Sequence, residues 1–179
     1  KSAVDSALSI NEADLGDTGW LISAIDAAIK HNPDDDWTVR DKAKLLIKSG
    51  KKEDAVKVYE DLVFKLGDKY YVWQEFSDCI DDTNAKIGML CKAISMEKNE
   101  DFIGNIRLSL AECLLNEGLK AEACHELELY KANYESKGWK VKARYEALQS
   151  KCEGVTAVND NKGLYQKYIP VAEEYAYSS

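Results

Sequence analysis

Arg40, Lys44 and Lys48 stand four residues apart. On a helix that spacing puts three cations in one stripe, since side chains at i and i+4 share a face. Such a stripe can hold an acidic partner without making or breaking a bond; its other use is simply a solvated helix side. The residue types needed for catalysis are sparse. There are two histidines, His31 and His125, and Cys124-His125 is an adjacent pair with no second pair at metal-ligand spacing. Neighbours on a helix point about 100° apart, so one zinc ion is poorly served by both. A Cys-His nucleophile pair would also need an orienting group and an oxyanion hole, and neither is indicated. The chain has no glycine-rich phosphate loop, no Gly-x-Ser-x-Gly and no His-Glu-x-x-His. Carboxylates are abundant, yet nothing pairs two of them in an apolar setting. The expectation is a non-enzyme with no catalytic residues, no metal and no cofactor.

The elements that would position these residues repeat. Leu46, Ile80, Leu114 and Leu148 are aliphatic at steps of 34 residues; Ala43, Ser77 and Ala111 are small at the same step. Gly16, Gly50, Asn84 and Gly118 keep the register with residues that tolerate a left-handed backbone, and Trp37, Tyr71 and Trp139 keep it with aromatics. A period of this length marks one supersecondary unit, copied and stacked so that each copy buries its neighbour's apolar face. Within a copy the apolar spacing is helical. Val39, Ala43, Leu46 and Ile47 precede Ser49-Gly50, and Ala55, Val58, Tyr59, Leu62 and Val63 follow it, which predicts two helices joined by a short turn. The second copy has a shorter turn, Asp81 to Asn84. The third runs from about Phe102 to Tyr134 and is punctuated by Gly118. The fourth starts at Trp139 and decays into the polar loop 154–162. Residues 20–30 read as a helix of an earlier, partial copy, whose other half fits poorly, with Ser9 and Glu12 at the expected small and aliphatic positions. A last helix is predicted from Leu164 to Tyr177, with Pro170 inside it.

Composition agrees with a helical, soluble protein. Of 179 residues, 45% are hydrophobic and 31% charged, and the two prolines, Pro33 and Pro170, leave long helices unbroken. The net charge of −8 argues against direct nucleic-acid binding and against adsorption to an anionic membrane. No apolar run approaches the roughly 18 residues of a spanning helix. Five cysteines without paired spacing read as free, buried thiols in the reducing cytoplasm. The missing initial Met reads as a fragment of a larger multidomain protein or as a processed N-terminus.

The register resembles the tetratricopeptide repeat. Ala43, Leu46, Gly50, Ala55 and Tyr59 match its pattern in one copy, and Ala111, Leu114, Gly118 and Ala123 in another, while Pro33 ends the partial first copy as that family favours. Leu62 and Leu127 depart from it. The resemblance implies that the first helix of each hairpin lines a groove that holds an extended peptide. Arg40, Lys44 and Lys48 would make that groove basic at one end, and Gln74, Asp78, Asn105, Glu112 and Asn116 would make it polar and acidic further on. A carboxylate clamp known in the family is disfavoured, because Glu75 stands where an asparagine is wanted. The four tryptophans read as interface anchors or as packing between hairpins, with packing preferred for Trp73 and also for Trp37 and Trp139.

The expected fold is all-α: a right-handed superhelix of three to four antiparallel helix hairpins with a C-terminal capping helix. It fills one domain over residues 1–179, with repeats at about 3–36, 37–70, 71–104, 105–138 and 139–179. The expected function is a protein- or peptide-binding scaffold. The alternatives are a nucleic-acid-associated helper acting through neighbouring domains, and a structural or self-association spacer.

Overall fold

A computed structural model describes residues 3–10 and 16–178. The expected position of Glu12 lies outside them. The described residues are all-helical: α1 Ala3–Ser9, α2 Gly19–His31, α3 Asp36–Lys48, α4 Lys52–Leu66, α5 Tyr70–Ser77, α6 Thr83–Met96, α7 Glu100–Asn116, α8 Lys120–Lys137, α9 Ala143–Gln149 and α10 Lys162–Tyr177, with a 3-10 turn at Ser150–Cys152. None of these helices is long and apolar enough to cross a membrane.

The helix boundaries follow from local chemistry. The Asp35 and Asp82 side chains accept from Trp37 N and Ala85 N and so cap α3 and α6, satisfying amides that have no partner within the helix. Gly50 and Gly118 have φ of +74° and +78°. There α3 and α7 close with paired bonds, Lys51 N to Leu46 O and Gly50 N to Ile47 O, then Leu119 N to Leu114 O and Gly118 N to Leu115 O. A left-handed residue is what that double closure requires, and glycine adopts it without steric cost. Asn84 does not share this role. It lies inside α6, and no described residue other than glycine has positive φ. α5 stops early, at Ser77, and the cap from Asp82 starts α6 before position 84 is reached.

The 34-residue register marks the core. Leu46, Ile80, Leu114 and Leu148 are buried, and Ala43, Ser77 and Ala111 are wholly so. Consecutive helices pack on one another from α2 through α9. Trp73 is fully buried and donates from its indole N–H to Gly67 O at 2.9 Å. A separate small cluster joins Ala7, Leu21 and Ile25 to Leu45, so α1 and α2 cover the outer side of α3.

α10 departs from the expected terminal cap. It turns back and packs principally on α6, reaching α4 with its last turns. The reason is legible in α6, where eight residues from Ala85 to Ile94 are buried. A helix apolar around most of its circumference needs cover on a second side. Gly88 makes the approach possible: a Cβ there would meet the Tyr168 carbonyl oxygen at 2.1 Å and Ala172 Cβ at 2.8 Å. At its end Tyr177 meets the rings of Phe64 and Trp73 edge-on. At its start α10 is tied to α8 by polar contacts. Asn161 Nδ2 and the Tyr165 hydroxyl both donate to Glu126 Oε1 at 2.8 Å. The other oxygen of Glu126 accepts from Arg107 of α7, whose guanidinium also donates twice to Glu100.

The cysteines correct the reading of five free thiols. Cys124 of α8 and Cys152 of the 3-10 turn form a disulfide with Cα atoms 5.9 Å apart, 28 residues apart in sequence. Their proximity arises from the fold of α9 onto α8, which spacing alone does not reveal. Cys79, Cys91 and Cys113 are free.

Candidate interaction face

The basic stripe is held within the protein. Arg40 is 5% exposed. Its Nη2 and Nε donate to the two carboxylate oxygens of Glu75 on α5 at 2.6 and 3.2 Å. Its guanidinium carbon lies 4.7 Å from the Trp37 ring centre and 4.0 Å from that of Tyr71. Burial acts to lower the Arg40 pKa, but the Glu75 carboxylate outweighs it and the group is shifted upward. Lys44 also reaches Glu75, at 3.4 Å, and Lys48 donates to the Leu8 carbonyl at the end of α1. Glu75 thus gathers two of the three cations that the sequence placed in the groove. Its carboxylate also accepts from the Tyr59 hydroxyl, and desolvation followed by that carboxylate push the Tyr59 phenol well above its ordinary value.

The other expected residues lie on α5 and α7. Gln74 is half-buried, while Asp78, Asn105, Glu112 and Asn116 are exposed. Contacts between non-consecutive helices join several of them. Arg144 of α9 reaches Glu112 at 2.6 Å and Ser109 at 3.3 Å, and Lys142, just before α9, reaches Asn105 at 2.6 Å. Among the described residues, Asp78 has no ion pair within 4 Å. Desolvation raises its carboxyl, with Lys86 and Arg144 opposing and Glu75 adding to the shift. Polar contacts therefore join α3 to α5 and α7 to the start of α9, and the charge of Arg144 acts on Asp78 between the two pairs. Exposed aromatics stand at both ends: Trp37, 67% exposed, stacks on Tyr71, and Trp139, 46% exposed, packs edge-on against Tyr134. The resemblance to the tetratricopeptide repeat supplied the residues expected here; it did not supply Lys142 and Arg144, the cations at the start of α9 that reach Asn105 and Glu112.

Cys124 is bonded to Cys152 and offers no thiolate to its neighbour His125. Among the described residues no three His, Cys, Asp or Glu side chains are grouped to hold a metal ion. The free thiols of Cys79 and Cys113 are raised by desolvation, Cys79 to about 12, which is the reverse of nucleophile activation.

Residues 36–172 match the family model described as Domain of unknown function (DUF7017). The chain belongs to that family. The match begins at the first residue of α3 and ends within α10, at Ala172, so it takes in the polar face and the greater part of α10, and α1 and α2 precede it. A search of the curated proteins returned no match.

Proposed function

We propose that this DUF7017 domain is a protein- or peptide-binding scaffold, and that its helices are tetratricopeptide-like hairpins stacked in a right-handed superhelix. The face of α3, α5, α7 and α9 is its recognition surface. The observation that carries this reading is the make-up of that face. Four helices that are not sequence neighbours contribute to it, polar contacts join α3 to α5 and α7 to the start of α9, and an exposed tryptophan stands at each end. A preformed polar surface of this kind binds with little ordering cost, and exposed aromatics at its edge supply anchors. With Arg40 and Lys44 engaged by Glu75, the recognition groups are Trp37, Gln74, Asp78 and Asn116 rather than the basic stripe. Among the described residues, Asp78 is the charged member of the face with no ion pair, so a ligand presenting a cation or several amide donors suits the face better than an acidic one.

The test is affinity capture from the source cell's lysate with the wild type and with the variants Trp37→Ala and Asp78→Lys. Both changes are at exposed positions and leave the core intact. A protein retained by the wild type and lost from both variants is the expected result. Retention that is equal in all three, or nothing retained, would count against the face. Arg40→Glu is a poor probe, because it places a second acid against Glu75 inside the protein.

A further inference from the structure

Glu75 neutralises Arg40 but does not use all of it. Nε and Nη2 point to one edge of the guanidinium plane, and both donate to Glu75. Nη1 stands at the opposite edge. It is shut off from solvent and has no hydrogen-bond partner among the described residues. A buried cationic donor without an acceptor is costly, so a group that supplies one is bound with a gain. The rings of Trp37 and Tyr71 lie against this guanidinium and offer it no carbonyl or carboxylate oxygen.

An open pocket of about 280 Å³ lies here, between the start of α3 and the turn from α4 to α5, with Asp34, Asp35, Asp36, Trp37, Arg40 and Tyr71 in its wall. Glu75 is not part of that wall, so the guanidinium edge that faces the pocket is the one carrying Nη1. Trp37, 67% exposed, is the movable part of the cover. The charges define the occupant. Among the described residues the wall holds three carboxylates and one cation, Arg40, which Glu75 already matches. Asp35 is engaged by the α3 cap and by the Thr38 hydroxyl. Asp34 and Asp36 form no ion pair among the described residues. An anion would satisfy Nη1 but would meet these acids. A neutral carbonyl oxygen satisfies Nη1 without that conflict, and a cation beside it satisfies the acids. A lysine or arginine in an extended segment carries both: the carbonyl on its main chain, and the cation at the end of an apolar stem that suits the Trp37 ring. The volume is at the lower limit of small-molecule sites and fits one such residue. We propose that this pocket seats a basic residue of a partner's extended segment, its main-chain carbonyl accepting from Arg40 Nη1 and its side-chain cation set against Asp34 and Asp36. The inference rests on the scaffold reading and adds the side chain that the Trp37 end of the face selects.

Nuclear magnetic resonance titration of the whole, isotope-labelled chain with the blocked tripeptide acetyl-Gly-Lys-Gly-amide tests the pocket without the native partner. The signals read are the Arg40 guanidinium N–H and the Trp37 indole N–H. Both are expected to shift and saturate together, with a dissociation constant on the order of 1 mM. The glutamate analogue acetyl-Gly-Glu-Gly-amide is expected to bind at least about tenfold more weakly, and so is n-butylammonium, which has the cation and stem but no carbonyl. The double variant Asp34→Asn, Asp36→Asn is expected to weaken the lysine peptide about fivefold, with the remaining spectrum unchanged as the sign that it is folded. Absence of shifts at Arg40 and Trp37, equal binding of the glutamate peptide, or n-butylammonium binding as tightly as the tripeptide would overturn the proposal. Shifts spread over the acidic surface that never saturate at Arg40 would overturn it equally. If the titration fails while capture from lysate succeeds, the pocket falls and the scaffold reading stands. If the titration succeeds and no partner is captured, the scaffold reading falls and the pocket stands as a site for a basic residue.

Discussion

Glu126 has no exposed surface, and its two carboxylate oxygens take bonds from Arg107, Asn161 and Tyr165. Removing Arg107 would leave an uncompensated charge in the core. Arg107→Met is expected to cost about 3–5 kcal/mol, and the double change Arg107→Met, Glu126→Leu to recover a large part of it; urea titration of both variants reads the difference. The buried phenols set an alkaline limit. Tyr59 and Tyr165 are raised chiefly by desolvation, then by the carboxylates of Glu75 and Glu126. The folded chain therefore keeps protons that the unfolded chain releases. The stability they contribute is complete below about pH 10 and falls as the pH rises above it. Melting temperatures between pH 9 and 11 are expected to decline more steeply in the wild type than in the Tyr59→Phe, Tyr165→Phe double variant. Arg40 shows the limit of spacing at this scale. Its i+4 and i+8 relation to Lys44 and Lys48 was legible, but Glu75, 35 residues on, decides what the stripe does, and only packing brings it there.

Among the elements, α10 carries the clearest consequences. Gly88→Ala would push a methyl into the Tyr168 carbonyl, a backbone group that cannot swing aside. The expected loss is about 3 kcal/mol, the upper end for overpacking, and it should appear as faster amide exchange across 162–177 than across α7 and α8. The disulfide closes a loop between α8 and the turn after α9, so its reduction is expected to cost about 3–4 kcal/mol by loop entropy; calorimetry with and without a dithiol measures it. Helix positions were well marked in the sequence, from α2 to α10, because apolar period and capping residues are local signals. The seat of α10 was not. The all-round apolar character of α6 hinted that a second helix covers it, but a period of 34 directs attention to neighbours in the stack, and α10 bypasses them.

At the scale of the molecule, the DUF7017 domain joins two kinds of organisation. Packing between consecutive helices is local, as in a repeat array. α10 adds a long-range closure that ties α4, α6 and α8 together. In the proposed reading, the exposed polar face of α3, α5, α7 and α9 receives the partner. The most direct test is photo-cross-linking in the source cell's lysate, with a benzophenone amino acid placed in turn at Gln74, Asp78 and Asn116, and at Lys131 on α8 as a control. If the face is the recognition surface, one heterologous protein is joined from all three face positions and not from Lys131. If no adduct forms from the face, or the same adduct forms from Lys131, the face does not bind a partner and the scaffold reading falls.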